Sequence, residues 1–130
     1  MKPAAFVLML MLVPVLGSAC APAQPITEPD LVIITMYEAL NKDDIDGAMA
    51  FIADDALFVT ATVFRGKDEI REFMQGLSDH QARYEVIDLQ VEGEEVTWTL
   101  KGTMDVKSFE RPIRAEIQDG KIVKLFGTWY

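Results

Sequence analysis

The sequence predicts an α+β fold: a conical roll in which a curved antiparallel sheet wraps around three helices, in the order α-α-β-α-β-β-β-β. Three observations carry that prediction. Apolar residues recur at i, i+3, i+4, i+7 in three separate stretches before Ser78, the spacing of one helix face. From Ala82 onward the apolar period changes to two, as in half-buried strands. Turn signals, Glu92-Gly93-Glu94 and Asp119-Gly120, punctuate that second half. Three helices with one apolar face each need an apolar surface, and the sheet is the available one.

The chain begins with a segment to be set apart from the fold. Lys2 is followed by an apolar run, Ala4 to Leu16, and then by Gly17, Ser18 and Ala19. The run is short for a bilayer span, which needs about 20 residues, and the three-part pattern is that of a secretory signal peptide at residues 1–20. Leu16–Cys20, LGSAC, resembles the bacterial lipoprotein signal, in which the Cys becomes the lipid-modified first residue. Gly17 departs from that pattern, which has Leu there; cleavage after Ala21, with secretion of a soluble chain, is the rival reading. Cys20 is the single cysteine, so no disulfide forms within the chain. Residues 21–29, APAQPITEP, carry three prolines and read as an extended tether. The folded domain is residues 30–130.

The first helix is expected to start at Asp30 as N-cap, with Ile33, Met36, Tyr37 and Leu40 on one face and Asn41-Lys42 at its end. Asp44 caps the second, which carries Ile45, Ala48, Met49 and Ile52, and Ala53-Asp54-Asp55 closes it. Leu57 to Phe64 is rich in strand formers. Arg65-Gly66-Lys67 turns into the third helix, with Ile70, Phe73, Met74 and Leu77 inward. Tyr84–Glu92 is a strand. Glu95–Val106 alternates with Val96, Trp98, Leu100, Gly102, Met104 and Val106 on one face; Thr97, Thr99, Lys101, Thr103 and Asp105 lie on the other. Lys107 to Glu110 is expected to turn. Arg111–Gln118 and Lys121–Tyr130 complete the sheet around Asp119-Gly120.

Composition narrows the partners. The formal net charge is −9, and without residues 1–20 the 21 acids face 11 bases (12 less Lys2), or −10. A body that acidic repels phosphate backbones and anionic headgroups, so no nucleic-acid partner is expected. Half of the residues are hydrophobic, enough for the core of one domain.

Three stretches, ALNKDDIDGAMAFIADDALFV at Ala39–Val59, RGKDEIREFM at Arg65–Met74 and DGKIVKLFGTWY at Asp119–Tyr130, together with the element order, resemble the nuclear transport factor 2-like superfamily, in its SnoaL-like and ketosteroid-isomerase-like branch. The resemblance spans Asp30 to Tyr130. It implies a conical α+β barrel with a pocket between helices and sheet, and dimerisation in many members through the outer sheet face. Its functions are scattered over isomerases, cyclases, hydrolases and binding domains, so the fold alone does not give the activity. The isomerase machinery is not carried over. The position of its catalytic Asp holds Thr60, that of its oxyanion Tyr holds Met36, and that of its second acid falls on Ile113 or Arg114. Trp129 matches an aromatic that lines the isomerase cavity.

Other constellations have plain structural readings. His80 is the only histidine and reads as an exposed loop residue without a partner implied by spacing. Asp54-Asp55 reads as a corner whose carboxylates bond nearby amides, and Asp43-Asp44-Asp46 lacks the spacing of a calcium loop. Arg114 and Glu116 alternate with Ile113, Ala115 and Ile117, which puts them on the solvent face, though a pocket role stays open for Arg114. No phosphate loop, metal-ligand cluster or nucleophile elbow is present, and no cofactor is implied.

The expectation is therefore an exported, lipid-anchored domain of the bacterial cell envelope. It would bind a small apolar or amphipathic molecule among Met36, Tyr37, Phe58, Thr60, Trp98, Trp129 and Arg114. The alternatives are an enzyme of the polyketide cyclase, isomerase or hydrolase type, and an interaction domain whose interior is filled by its own side chains, with homodimerisation through the outer sheet face.

Overall fold

The computed structural model describes residues 25–127. Residues 1–20, where a signal peptide is expected, with Cys20 among them, and Trp129 lie outside the described residues. Helices α1 (Pro29–Asn41), α2 (Ile45–Met49) and α3 (Gly66–Asp79) lie against a six-stranded sheet. Its strands are β1 (Ile52–Val59), β2 (Val63–Arg65), β3 (Arg83–Glu92), β4 (Glu95–Met104), β5 (Lys107–Gln118) and β6 (Lys121–Gly127), in the spatial order β2-β1-β6-β5-β4-β3. The α+β roll expected from periodicity is the observed fold. Two details differ: β1 runs parallel to β6, and the sheet stays open because its edges, β2 and β3, are not paired to each other.

Four local expectations are corrected. Helix α1 starts two residues earlier than a cap at Asp30 requires: Glu28 is the N-cap without a side-chain bond, and Pro29 opens the first helical turn. Proline suits that place because it has no amide hydrogen to leave unsatisfied. Asp30 sits in the first turn, where the helix dipole favours its charge.

Helix α2 ends at Met49, so Ile52, Asp54 and Asp55 belong to β1 rather than to a helix-closing corner. Ile52 already pairs with Ile122, and the Ile122 amide donates to the Phe51 carbonyl at 2.8 Å. The register shifts between Ile52 and Leu57, which leaves Asp54 and Asp55 exposed; Asp54 meets Lys67 at 3.4 Å instead of a backbone amide.

The strand-forming run Leu57–Phe64 is a hairpin, because Thr60 closes a local turn. Its amide and hydroxyl both donate to the Thr62 carbonyl, at 2.9 and 2.7 Å, and Val59 then pairs with Val63. Finally, the turn expected at Lys107–Glu110 is tighter and earlier. Met104 pairs with Lys107, β5 starts at Lys107, and Val106 is 97% exposed at the tip rather than inward. Asp105, at φ 56°, allows the tight reversal; aspartate is among the few non-glycine residues that visit this region. Asp119 and Gly120, at φ 51° and 75°, form the expected two-residue hairpin.

One rung of side chains on the helix-facing side crosses all six strands: Val91, Val96, Ala115, Leu125, Phe58, Phe64. Ile33 and Met36 of α1 and Ile70 and Met74 of α3 are buried within this same core. The loop after α1 is fixed by Asn41, whose amide donates to the Tyr84 carbonyl at 2.9 Å and whose oxygen accepts from the Tyr84 amide at 2.7 Å. The side chain thus imitates a strand partner for the start of β3. Replacing Asn41 by Leu should cost about 2–3 kcal/mol, since two half-buried backbone groups lose partners. Urea unfolding of the two proteins measures this. Alongside, Asp43 accepts from Ser78 at 2.6 Å and pairs with Arg83 at 2.9 Å, which holds its carboxyl below the ordinary carboxylate range.

Candidate functional site

The interior is built by α1, β1, α3 and β3. Met36, Tyr37, Phe58, Thr60, Phe73 and Tyr84 are among the residues around a cavity of about 40 Å³. That is room for about one water molecule. Tyr37 packs against Tyr84 and Trp98 with ring centroids at 5.3 and 5.9 Å, and all three indole and phenol rings are largely withdrawn from solvent. Burial pushes the Tyr37 hydroxyl far above the ordinary tyrosine value of 10, and the neighbouring Tyr84 adds to the shift. Burial raises Tyr84 likewise, partly offset by Arg83.

Both phenols therefore stay neutral at physiological pH and can donate but not accept a proton. The Trp98 Nε1–H, buried near the Tyr37 hydroxyl, finds no acceptor within hydrogen-bond geometry. No charged or polar residue is buried among the described residues, so the interior holds no carboxylate or imidazole to act as a base. Both raised values are those of acids kept neutral by the fold. Their contribution is whole below the unfolded tyrosine pKa of about 10 and is lost as pH rises above it. Absorbance titration should show Tyr37 and Tyr84 ionising only as the protein unfolds in alkali.

The larger concavity lies on the opposite face. Alternation turns Thr97, Arg114, Phe126 and Val59 away from the helices, and the register aligns them into one rung that crosses the whole sheet: Gln90, Thr97, Arg114, Phe126, Val59, Val63. A groove of about 740 Å³ follows this rung, with Asp88 and Pro112 also on its walls. Asp88 stands at φ 54° where the β3–β4 register shifts, which bends β3 beside the groove. The Arg114 guanidinium lies 4.4 Å above the centre of the Phe126 ring, a cation–π contact. The next rung is charged and segregated: Glu92, Glu95 and Glu116 on β3, β4 and β5, then Lys124, Leu57 and Arg65 on β6, β1 and β2.

The structure brings the sequence-predicted residues to two places. Met36, Tyr37, Phe58 and Thr60 meet around the small interior cavity. Trp98 adjoins it through Tyr37 and also borders the groove, while Arg114 belongs to the groove alone. Thr60, Ile113 and Gly127 touch both. On the penultimate strand Ile113 is buried opposite Trp98, while Arg114, its neighbour, faces out on the other side of the sheet. His80 is exposed as expected, but it has a partner that spacing did not show, Asp105, 3.1 Å from its Nδ1. No group of three metal-ligating residues occurs, and no helix is long and apolar enough to cross a membrane, among the described residues.

The family model of the SnoaL-like domain matches residues 33–125. The chain belongs to the SnoaL-like family. Solved structures similar to this SnoaL-like domain include an NTF2-like protein of unknown function from Cytophaga hutchinsonii, at TM-score 0.72 and 18% identity over 82% of this chain and 92% of that one. A candidate ketosteroid isomerase from Kribbella flavida matches at TM-score 0.69 and 16% identity, over 76% of this chain and 75% of its own. A candidate polyketide cyclase from Sinorhizobium meliloti matches at TM-score 0.69 and 18% identity, over 81% and 99%. These likenesses concern the fold. No curated protein matches the sequence.

Proposed function

We propose that this SnoaL-like domain works by binding rather than by catalysis, and that its working surface is the outer groove, where a second copy of the chain is the occupant. The observation that supports this most is the contrast between an interior of about 40 Å³ without acid or base and an outer concavity of about 740 Å³. An enzyme of the isomerase type needs a positioned base beside its oxyanion donors, and Thr60, Met36 and Ile113 provide neither base nor second acid. Aligned packing of two sheet faces is a common way to cover such a surface.

The domain is proposed to be exported and held at the cell envelope through a lipid on Cys20. The support is in the sequence: Lys2, the apolar run Ala4–Leu16, LGSAC and the proline-rich residues that follow. Native mass spectrometry of the full chain extracted in detergent tests both parts. The expected species is a dimer whose protomers begin at a lipid-modified Cys20. A monomer would contradict the paired outer face, and a protomer beginning at Pro22 without lipid would contradict the anchor.

A second reading draws on one observation, the buried Trp98 indole N–H, which neighbours the Tyr37 hydroxyl but meets no acceptor in good hydrogen-bond geometry. A small apolar molecule carrying a carbonyl would satisfy it if the cavity widened, and the same spectrum would show it as retained mass.

A further inference from the structure

Six large apolar side chains stay exposed among the described residues: Ile26, Leu31, Ile34, Val63, Val91 and Val106. Val63 sits on the edge strand beside the outer groove, and Val106 tips the β4–β5 hairpin. The other four, each 37–45% exposed, belong to the opposite end of the molecule. Leu31 and Ile34 are neighbours one turn apart on α1, while Val32, Ile33 and Met36 fill its core side. Ile26 leads into that helix over the β5–β6 hairpin, since a Cβ on Gly120 would stand 2.6 Å from its carbonyl. Asn41 pins the other end of α1 to Tyr84 at the start of β3, so the first turns of the helix lie toward the end where β3 finishes. Val91 is the last residue but one of β3, beside the β3–β4 turn. Glu95 pairs with Glu116, which sets that turn and the β5–β6 turn at the same end of the sheet.

Two observations say what lies against these side chains. Ile26 is six residues from Cys20, and six residues of chain reach about 20 Å at full extension. A lipid on Cys20 therefore holds this end of the domain at a membrane. Val106 stands the length of β4 away, about 30 Å for a ten-residue strand, out of that reach. The charges around the four residues are Glu28, Asp30, Glu92, Glu94 and Asp119, with Lys121 opposing them. Anionic headgroups repel such an end, and neutral ones do not. We propose that Ile26, Leu31, Ile34 and Val91 rest on a zwitterionic phospholipid surface.

So few half-covered side chains hold a surface weakly when the protein is free in solution. The anchor makes the contact intramolecular, where weak affinity is enough. The contact then fixes the orientation of the domain: it stands on the end where these two hairpins turn, with its strands rising from the lipid. The inference rests on the lipid anchor proposed above and is independent of the outer-face pairing.

Photolabelling of the full chain tests it. The lipid-anchored protein is placed in phosphatidylcholine vesicles that carry a diazirine-bearing phosphatidylcholine, irradiated, and mapped by tandem mass spectrometry. Residues 26–34 should take up about tenfold more label than residues 104–107, although Val106 is 97% exposed. Leu31→Gln combined with Ile34→Gln should stay on the vesicles through its lipid, melt within a few degrees of the unaltered chain, and lose most of that label. Replacing half of the phosphatidylcholine by phosphatidylglycerol should lower the label several-fold at low salt. Vesicle-bound protein labelled at Cys20 alone, or as heavily at Val106 as on α1, would overturn the inference and leave the anchor standing. A double variant labelled like the unaltered chain, or label undiminished on the half-anionic vesicles, would overturn it too. Protein that does not stay on the vesicles would overturn the anchor, and this inference with it.

Discussion

Gly102→Val should lower stability by at least about 3 kcal/mol, roughly 12–24 °C in melting temperature for a domain of this size. Gly102 is the centre of a rung whose neighbours are Tyr84 on β3 and Phe109 on β5. Those two rings meet over it at 6.3 Å, nearly edge to face. Any Cβ at this position would run into the Arg83 carbonyl and would stand 2.7 Å from the Phe109 ring. The clash with backbone cannot be relieved by a rotamer change. The missing side chain lets the sheet bend and lets the aromatic neighbours cover the backbone, a known device for rescuing glycine in strands. Gly76 is the control. Nothing lies within 4 Å of a Cβ there, so Gly76→Ala in α3 should add about 0.5–1 kcal/mol.

Phe126→Asp should weaken self-association by roughly 100-fold, about 3 kcal/mol, while the domain stays folded. The ring is at the middle of the outer rung between Arg114 and Val59, where the proposed pair is most fully covered. The substitution removes the cation–π contact with Arg114 and sets a carboxylate in the centre of the contact. Sedimentation equilibrium measures the shift. The side chain is not in the helix-facing core, so melting temperature should change by only a few degrees.

The fold was legible because its signals are local and strong. Ile33, Met36, Tyr37 and Leu40 mark a helix face, and Val96, Trp98 and Leu100 mark a strand face, whatever lies elsewhere in the chain. Boundaries failed where tertiary partners decide. Ile52 continues the i, i+3, i+4, i+7 pattern of α2, yet pairing with Ile122 takes it into the sheet. Val106 keeps the alternation of β4, yet the chain reverses at Asp105. The turn at Thr60 rests on hydroxyl bonds that propensity does not record.

For the site, the departures at Thr60 and Met36 from the residues that the isomerase resemblance implies could be read in the sequence. The groove could not. Thr97, Arg114, Phe126 and Val59 sit on four separate strands, and each reads singly as a residue on a solvent-facing or mixed strand. Only strand order and register join them into a surface. His80 and Asp105 show the same limit, since 25 residues separate two side chains that touch.

A crystal structure of the full chain, purified with whatever it retains, tests the central claim most directly. The account predicts two copies packed outer face to outer face, with Phe126 and Arg114 covered and nothing larger than a water between Tyr37 and Phe58. An organic molecule held in a widened interior, with the outer face bare to solvent, would contradict it.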